Sequence, residues 1–149
     1  MVLKTDSLKD STLYVPGELA HQCLKAFPFE SKRAAKFVQE YRKYLQYQST
    51  IELLKNPPVD YQMPALDLLG GLDKIEKQAA AGKYDSQYDF DNDISDLLNS
   101  AFDGHLSIEL CSLAPFIFEN KFPLVSVSTN GTTLPKVYTA SMRFSAKPN

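Results

Sequence analysis

The chain has no tryptophan, and only two cysteines and six glycines among its 149 residues. It also lacks any apolar run approaching the roughly 18–20 residues that a membrane-spanning helix needs. There is no charge of one sign to speak of: sixteen basic and eighteen acidic residues give a formal charge of −2 and a pI near 5.7. That balance carries no electrostatic footprint for nucleic acid or an anionic membrane. The glycines (Gly17, Gly70, Gly71, Gly82, Gly104 and Gly131) never stand two positions before a serine, so no G-x-S-x-G nucleophile elbow exists. No glycine-rich phosphate loop can be drawn from them either. The opening MVLKTDSLKD has no apolar core of about 7–15 residues, so no signal peptide is visible. On that reading the protein is cytosolic or its leader is missing. Cys23 and Cys111 match no C-x-x-C spacing and leave two readings open, one long-range disulfide or two reduced, buried thiols. What remains is ordinary globular material, 44% hydrophobic and 23% charged, long enough for one domain with a real core.

Residues 1–14 are polar and mixed and read as a mobile arm. Pro16 suits a first helical turn, and Leu19, Ala20, Cys23 and Leu24 follow at helical spacing. Phe27-Pro28-Phe29 ends that helix, because a residue before proline avoids the helical region. Ser31 is a candidate N-cap for one long amphipathic helix to about Lys55, in which Phe37, Val38, Tyr41, Tyr44, Leu45, Ile51 and Leu54 broadly follow a helical period. Asn56-Pro57-Pro58 stops it. A third helix is carried by Leu66, Leu68, Leu69, Leu72, Ile75 and Ala79, weakened at its start by Gly70-Gly71 and closed by Gly82. A fourth covers about 86–102, with Tyr88, Phe90, Ile94, Leu97, Leu98 and Ala101 inward.

At Asp103-Gly104 the period drops from near 3.6 to 2. Leu106, Ile108 and Leu110 alternate with His105, Ser107, Glu109 and Cys111, which predicts a half-buried strand. Phe116, Ile117 and Phe118 suggest another. Residues 124–128 and 134–138, joined through Thr129-Asn130-Gly131-Thr132, read as a hairpin in which Asn-Gly supplies positive φ. The predicted class is α+β: about four helices in 15–104, then a short antiparallel β region in 105–149. An unpaired strand there would favour a homo-oligomer or a partner chain.

Several residue sets imitate chemical sites. Asp89, Asp91 and Asp93 mimic the first half of an EF-hand loop within the run Asp85 to Asp96. The sixth position is Ile94 rather than glycine and the twelfth is Ser100 rather than glutamate, so a solvated, dipole-favouring helix start is the better reading. His21, Cys23, His105 and Cys111 are zinc-type residues, but His21 and Cys23 point roughly 200° apart on a helix. No metal or other cofactor is expected. His105, Ser107 and Glu109 share a strand face about 6.5–7 Å apart, too far for a serine–histidine hydrogen bond. His105 is the stronger candidate. It stands where a helix ends and Gly104 permits a sharp turn, and an imidazole can act as a base at neutral pH.

The runs VPGELAHQCLKAFPFE (15–30), YLQYQSTIELLKNPP (44–58) and DLLGGLDKIEKQAAAGKYDSQYDF (67–90) resemble the N-terminal part of fungal serine peptidases of family 41. SAFDGHLSIELC (100–111) and FPLVSVSTNGTTLPKVY (122–138) continue the likeness, which covers about 15–140. These peptidases form the tail-specific, C-terminal-processing group and are similar to chlamydial protease-like activity factor. The resemblance implies that His105 is the catalytic histidine, with Asp103 and Gly104 as the local context that places its imidazole. It implies a disulfide between Cys23 and Cys111, secretion, and a PDZ-like domain beginning near the hairpin. In a secreted protein Asn130-Gly131-Thr132 would be a glycosylation sequon. Family members draw the serine nucleophile and the acidic partner from several hundred further residues. This chain alone is therefore expected not to hydrolyse peptides. A peptide or protein substrate would be cleaved only after completion by a catalytic chain, as in a split enzyme, and a non-enzymatic interaction or ligand-binding module is the alternative.

Overall fold

The computed structural model describes residues 2–3, 13–119 and 122–139. Of the expected N-terminal arm, β1 (Val2–Leu3) pairs antiparallel with β2 (Leu13–Tyr14), and residues 4–12 lie outside the described set. The described residues up to Ile117 form one compact unit and those from Phe118 a second.

The first unit is built from five helices: α1 (Gly17–Lys25), α2 (Ser31–Leu45), α3 (Ile51–Lys55), α4 (Leu68–Ala80) and α5 (Gln87–Asn99). Helix α4 is the hub, packing against α2, α3 and α5. Its inward face places Leu68, Leu72, Ile75 and Ala79 against Val38, Phe90, Ile94 and Leu98 in one buried cluster. Fully burying a side chain of this size contributes about 1.5–3 kcal/mol, so this cluster holds the unit together. Arg42 ties α2 to α4 from outside, donating to the Leu69 carbonyl at 3.1 Å and pairing with Asp73 at 2.8 Å.

Local sequence sets the ends of these helices. Asp67 caps α4 by accepting from the Gly70 amide at 2.9 Å while pairing with Lys55. Gly82 closes α4 at φ 64°, with Gly82 N–H donating to the Ala79 carbonyl and Lys83 N–H to the Gln78 carbonyl, a Schellman closure. Ser86 caps α5 by accepting from the Asp89 amide, and its hydroxyl donates back to the Asp89 carboxylate at 2.7 Å. Gly71 does more than weaken a helix start. A Cβ there would sit 2.4 Å from a Leu97 methyl carbon, so the missing side chain is what lets α4 and α5 approach.

The single helix expected over 31–55 is two helices. Leu45 and Leu54 are both buried, yet nine residues of continuous helix at 100° each would put them on opposite faces. Residues 46–50 break the helix, with tight bonds from Tyr47 N–H to the Tyr44 carbonyl and from Gln48 N–H to the Leu45 carbonyl. Leu54 can then turn inward, its carbonyl accepting from Leu66 N–H at 2.7 Å.

The strand expected over 105–111 does not form, and in 116–118 only Ile117 makes a single bridge. The alternation is real: Leu106 and Leu110 are buried and His105, Ser107, Glu109 and Cys111 are exposed. The apolar residues close over the helical core, however, and among the described residues no strand pairs with them to build a ladder. The second unit is a ribbon of β3 (Leu124–Val127) and β4 (Lys136–Thr139), antiparallel with Val127 opposite Lys136. Its connection spans 128–135, wider than a two-residue turn. Gly131 takes φ 77° there, and Asn130 Oδ1 accepts from the Thr132 and Thr133 amides.

Candidate functional site

Helix α5 ends by folding back on itself. Ser100 Oγ donates to the Asp96 carbonyl at 2.7 Å, and Phe102 N–H donates to the Asn99 carbonyl at 3.1 Å. The sharp reversal falls at Phe102, whose φ is 53°, and not at Gly104 as its sequence position suggests. A bulky residue in the left-handed region is strained, and such outliers concentrate at functional sites. Ala101 on one side and Leu106 on the other are buried, so the loop between them is pinned at both ends while its tip faces solvent.

At that tip the His105 side chain is fully exposed (101%). Asp103 Oδ1 accepts from the His105 backbone N–H at 2.9 Å and lies 3.2 Å from Nδ1 of the same residue. Its other oxygen, Oδ2, accepts from Gln48 Nε2 at 3.1 Å, and Gln48 also donates to Thr50 Oγ1 at 2.9 Å. The His105 amide bond, chiefly, holds the Asp103 carboxyl below the usual carboxylate range. Desolvation opposes it, and the imidazole and Gln48 reinforce it. A carboxylate at Nδ1 of a solvent-facing imidazole is the arrangement that prepares Nε2 to take a proton. Gln48, in the break between α2 and α3, is the member that sequence reading missed. It lies 55 positions away and no periodicity marks it.

The other candidates do not converge on this tip. Ser107 is exposed and makes no hydrogen bond to His105, so His105, Ser107 and Glu109 are not a triad. Cys23 and Cys111 are free and exposed, which corrects both the implied disulfide and the buried-thiol reading. Cys111 and Glu109 instead edge a cavity of about 440 Å³ with Phe27, Phe37 and Phe90 at its walls. Among the described residues no three His, Cys, Asp or Glu side chains are grouped to hold a metal. His21 packs edge-on against Tyr88.

The aspartates of α5 are spent separately. Asp89 clasps Lys25 of α1, Asp93 accepts from the Tyr84 hydroxyl at 2.7 Å, and burial with that bond pushes the Tyr84 phenol up. Asp91 is 2% exposed, contrary to the solvated face expected for this run. It accepts from Gln87 Nε2 at 2.8 Å, from Ser112 Oγ at 2.6 Å and from Ser112 N–H at 3.2 Å. That buried knot fastens the segment after His105 onto α5, work that a ladder would have done in a strand.

The chain is 49% identical over 84 residues to phomP1 and to phomP1′, two proteins of Diaporthe leptostromiformis described as peptidase S41 family proteins. It resembles fungal S41 peptidase-family proteins. The matched stretch is 56% of this chain and 13% of each of those proteins, so the likeness covers a small part of much longer relatives. No protein-family model matches the chain, and no solved structure matches it.

Proposed function

We propose that this chain is the histidine-bearing N-terminal domain of an S41-type serine peptidase of the tail-specific group, with His105 as general base and the nucleophilic serine supplied from outside residues 1–149. The observation that carries the reading is His105 itself, fully exposed and backed at Nδ1 by Asp103. The identity to two S41 family proteins supports the same reading. Such a base takes the proton from a serine hydroxyl as it attacks a peptide carbonyl, then returns it to the leaving amine. Without that serine the imidazole has nothing to activate, so the chain by itself binds or orients but does not cleave.

A chimera in which this chain replaces the matching segment of phomP1 tests the proposal. Cleavage of a peptide substrate by the chimera, lowered on the order of 10²–10⁴-fold by His105→Ala, is the expected result. Full cleavage by the His105→Ala chimera overturns it.

A second reading rests on the β3–β4 ribbon. Each strand pairs only with the other among the described residues, and Leu124, Val127, Val137 and Tyr138 are all exposed. An interaction module that accepts a further strand at this edge would self-associate, and sedimentation of the purified chain decides that: a monomer rules out strand-mediated homo-oligomers.

A further inference from the structure

We propose that the cavity walled by Phe27, Phe37 and Phe90 is a binding site for a lysine or arginine side chain of a peptide, selected by Glu109 and Asp91. The inference goes beyond the peptidase reading and does not rest on it, because binding needs no serine.

The cavity holds about 440 Å³, a size usual for a ligand site, and lies wholly within the helical unit. Stretches far apart in sequence close round it: the α1–α2 connection, the start of α2, the start of α5 and residues 109–111. Its phenyl rings offer an apolar bed for a long methylene stem, and the face of such a ring attracts a cation. The charge around it is one-sided. Glu30, Glu109 and Asp91 stand against Arg33 alone, and Arg33 is already paired with Glu30 at 3.3 Å. Glu109 is exposed and makes no ion pair among the described residues. Asp91 is 2% exposed, and the donors it accepts from are all neutral: the Gln87 side-chain amide and the hydroxyl and backbone N–H of Ser112. A carboxylate withdrawn from water is costly without a countercharge. An ammonium or guanidinium entering between the rings supplies one. Glu109 stands four positions after His105, at most about 14 Å away along the chain. A peptide anchored in the cavity by one side chain therefore reaches the histidine loop within about four residues of its own length, which a free amine cannot do.

Amide nitrogen–proton spectra of the isolated chain, titrated with the blocked peptide acetyl-Ala-Ala-Arg-Ala-Ala-amide, test the site. Saturable shifts are expected at Gln87, Leu110 and Cys111, and none at Cys23, which does not line the cavity. Glu109→Gln, an exposed substitution that leaves the fold intact, should raise the half-saturating concentration about fivefold. Asp91→Asn keeps the side-chain shape and should act in the same direction. Norleucine in place of the arginine should raise that concentration at least as much as Glu109→Gln does, and glutamate in its place should abolish the shifts. Equal half-saturation for the arginine and norleucine peptides overturns the proposal, as does an unchanged value in Glu109→Gln. Saturation by benzylamine with none by the arginine peptide also overturns it, because the site would then take a free amine. No shift at the lining amides with any of these probes overturns it outright. These spectra need no serine, so a chimera that fails to cleave would sink the peptidase reading without touching this one.

Discussion

Two apolar-rich stretches of this molecule come to opposite ends. Leu106 and Leu110, from the segment after the histidine loop, are 9% and 7% exposed because a helical core lies beneath them. Leu124, Val127 and Val137, from the β3–β4 ribbon, are 45–67% exposed. Apolar content states what a segment can bury, and a surface to bury it against decides whether it does. A two-stranded ribbon has no such surface of its own and is at best marginally stable.

The contrast is sharpest for side-chain truncation. Leu72, at the centre of α4 and 0% exposed, should cost about 2–5 kcal/mol as Leu72→Ala in chemical denaturation followed by helical circular dichroism. Val137→Ala in the ribbon should stay within about 0.5 kcal/mol by the same measurement. Equal costs would erase the distinction between the two regions.

Overpacking tests the α4–α5 contact next. Gly71→Ala drives a methyl into Leu97 and should cost about 1–3 kcal/mol, whereas Gly104→Ala, with nothing within 4 Å and no positive φ, should be close to neutral. Asp91→Ala should follow at about 1–3 kcal/mol, because Ser112 loses the acceptor for both its amide and its hydroxyl. Hydrogen exchange would then rise first in 105–113, the stretch this knot fastens.

Acid should weaken the helical unit and leave the ribbon alone. Lys55 and the Gly70 amide hold the Asp67 carboxyl low. At Asp89, burial pulls upward, but Lys25 and Ser86 together outweigh it and the carboxyl again lies low. With folded pKa values below the unfolded ones, these groups contribute stability that is complete above the ordinary carboxylate range near 4 and is lost as pH falls through the depressed values. The midpoint of helical unfolding should therefore be flat above pH 5 and decline below about pH 4. A decline that begins near neutrality would contradict these assignments. The smallest effect belongs to His105→Ala. A fully exposed ring should leave the thermal midpoint almost unchanged, within about 0.5 kcal/mol, and a large drop would mark it as structural.

Much of this was legible in the chain itself. The helices before Gly82 and after Ser86 follow from the spacing of Leu72, Ile75 and Ala79 and of Phe90, Ile94 and Leu98, whose caps are local. The break in the long helix was also written there, in the half-turn mismatch between Leu45 and Leu54, though a tally of apolar residues passes over it. What could not be read was non-local: Gln48 reaching Asp103, and Ser112 burying Asp91. Asp91 looks like its acidic neighbours until the segment that covers it is in place. The turn was misattributed for a related reason. Glycine is the cheapest residue for positive φ, but the packing of Ala101 and Leu106 puts the reversal on Phe102.

The central claim is that His105 is a prepared base whose serine lies outside residues 1–149. Labelling with a serine-reactive fluorophosphonate, applied side by side to the isolated chain and to the phomP1 chimera, tests it most directly. The account expects no labelling of the isolated chain and one labelled serine in the chimera, lost on His105→Ala. A labelled serine within the isolated chain, abolished by His105→Ala, would mean that this short chain builds its own site, and the account would be wrong.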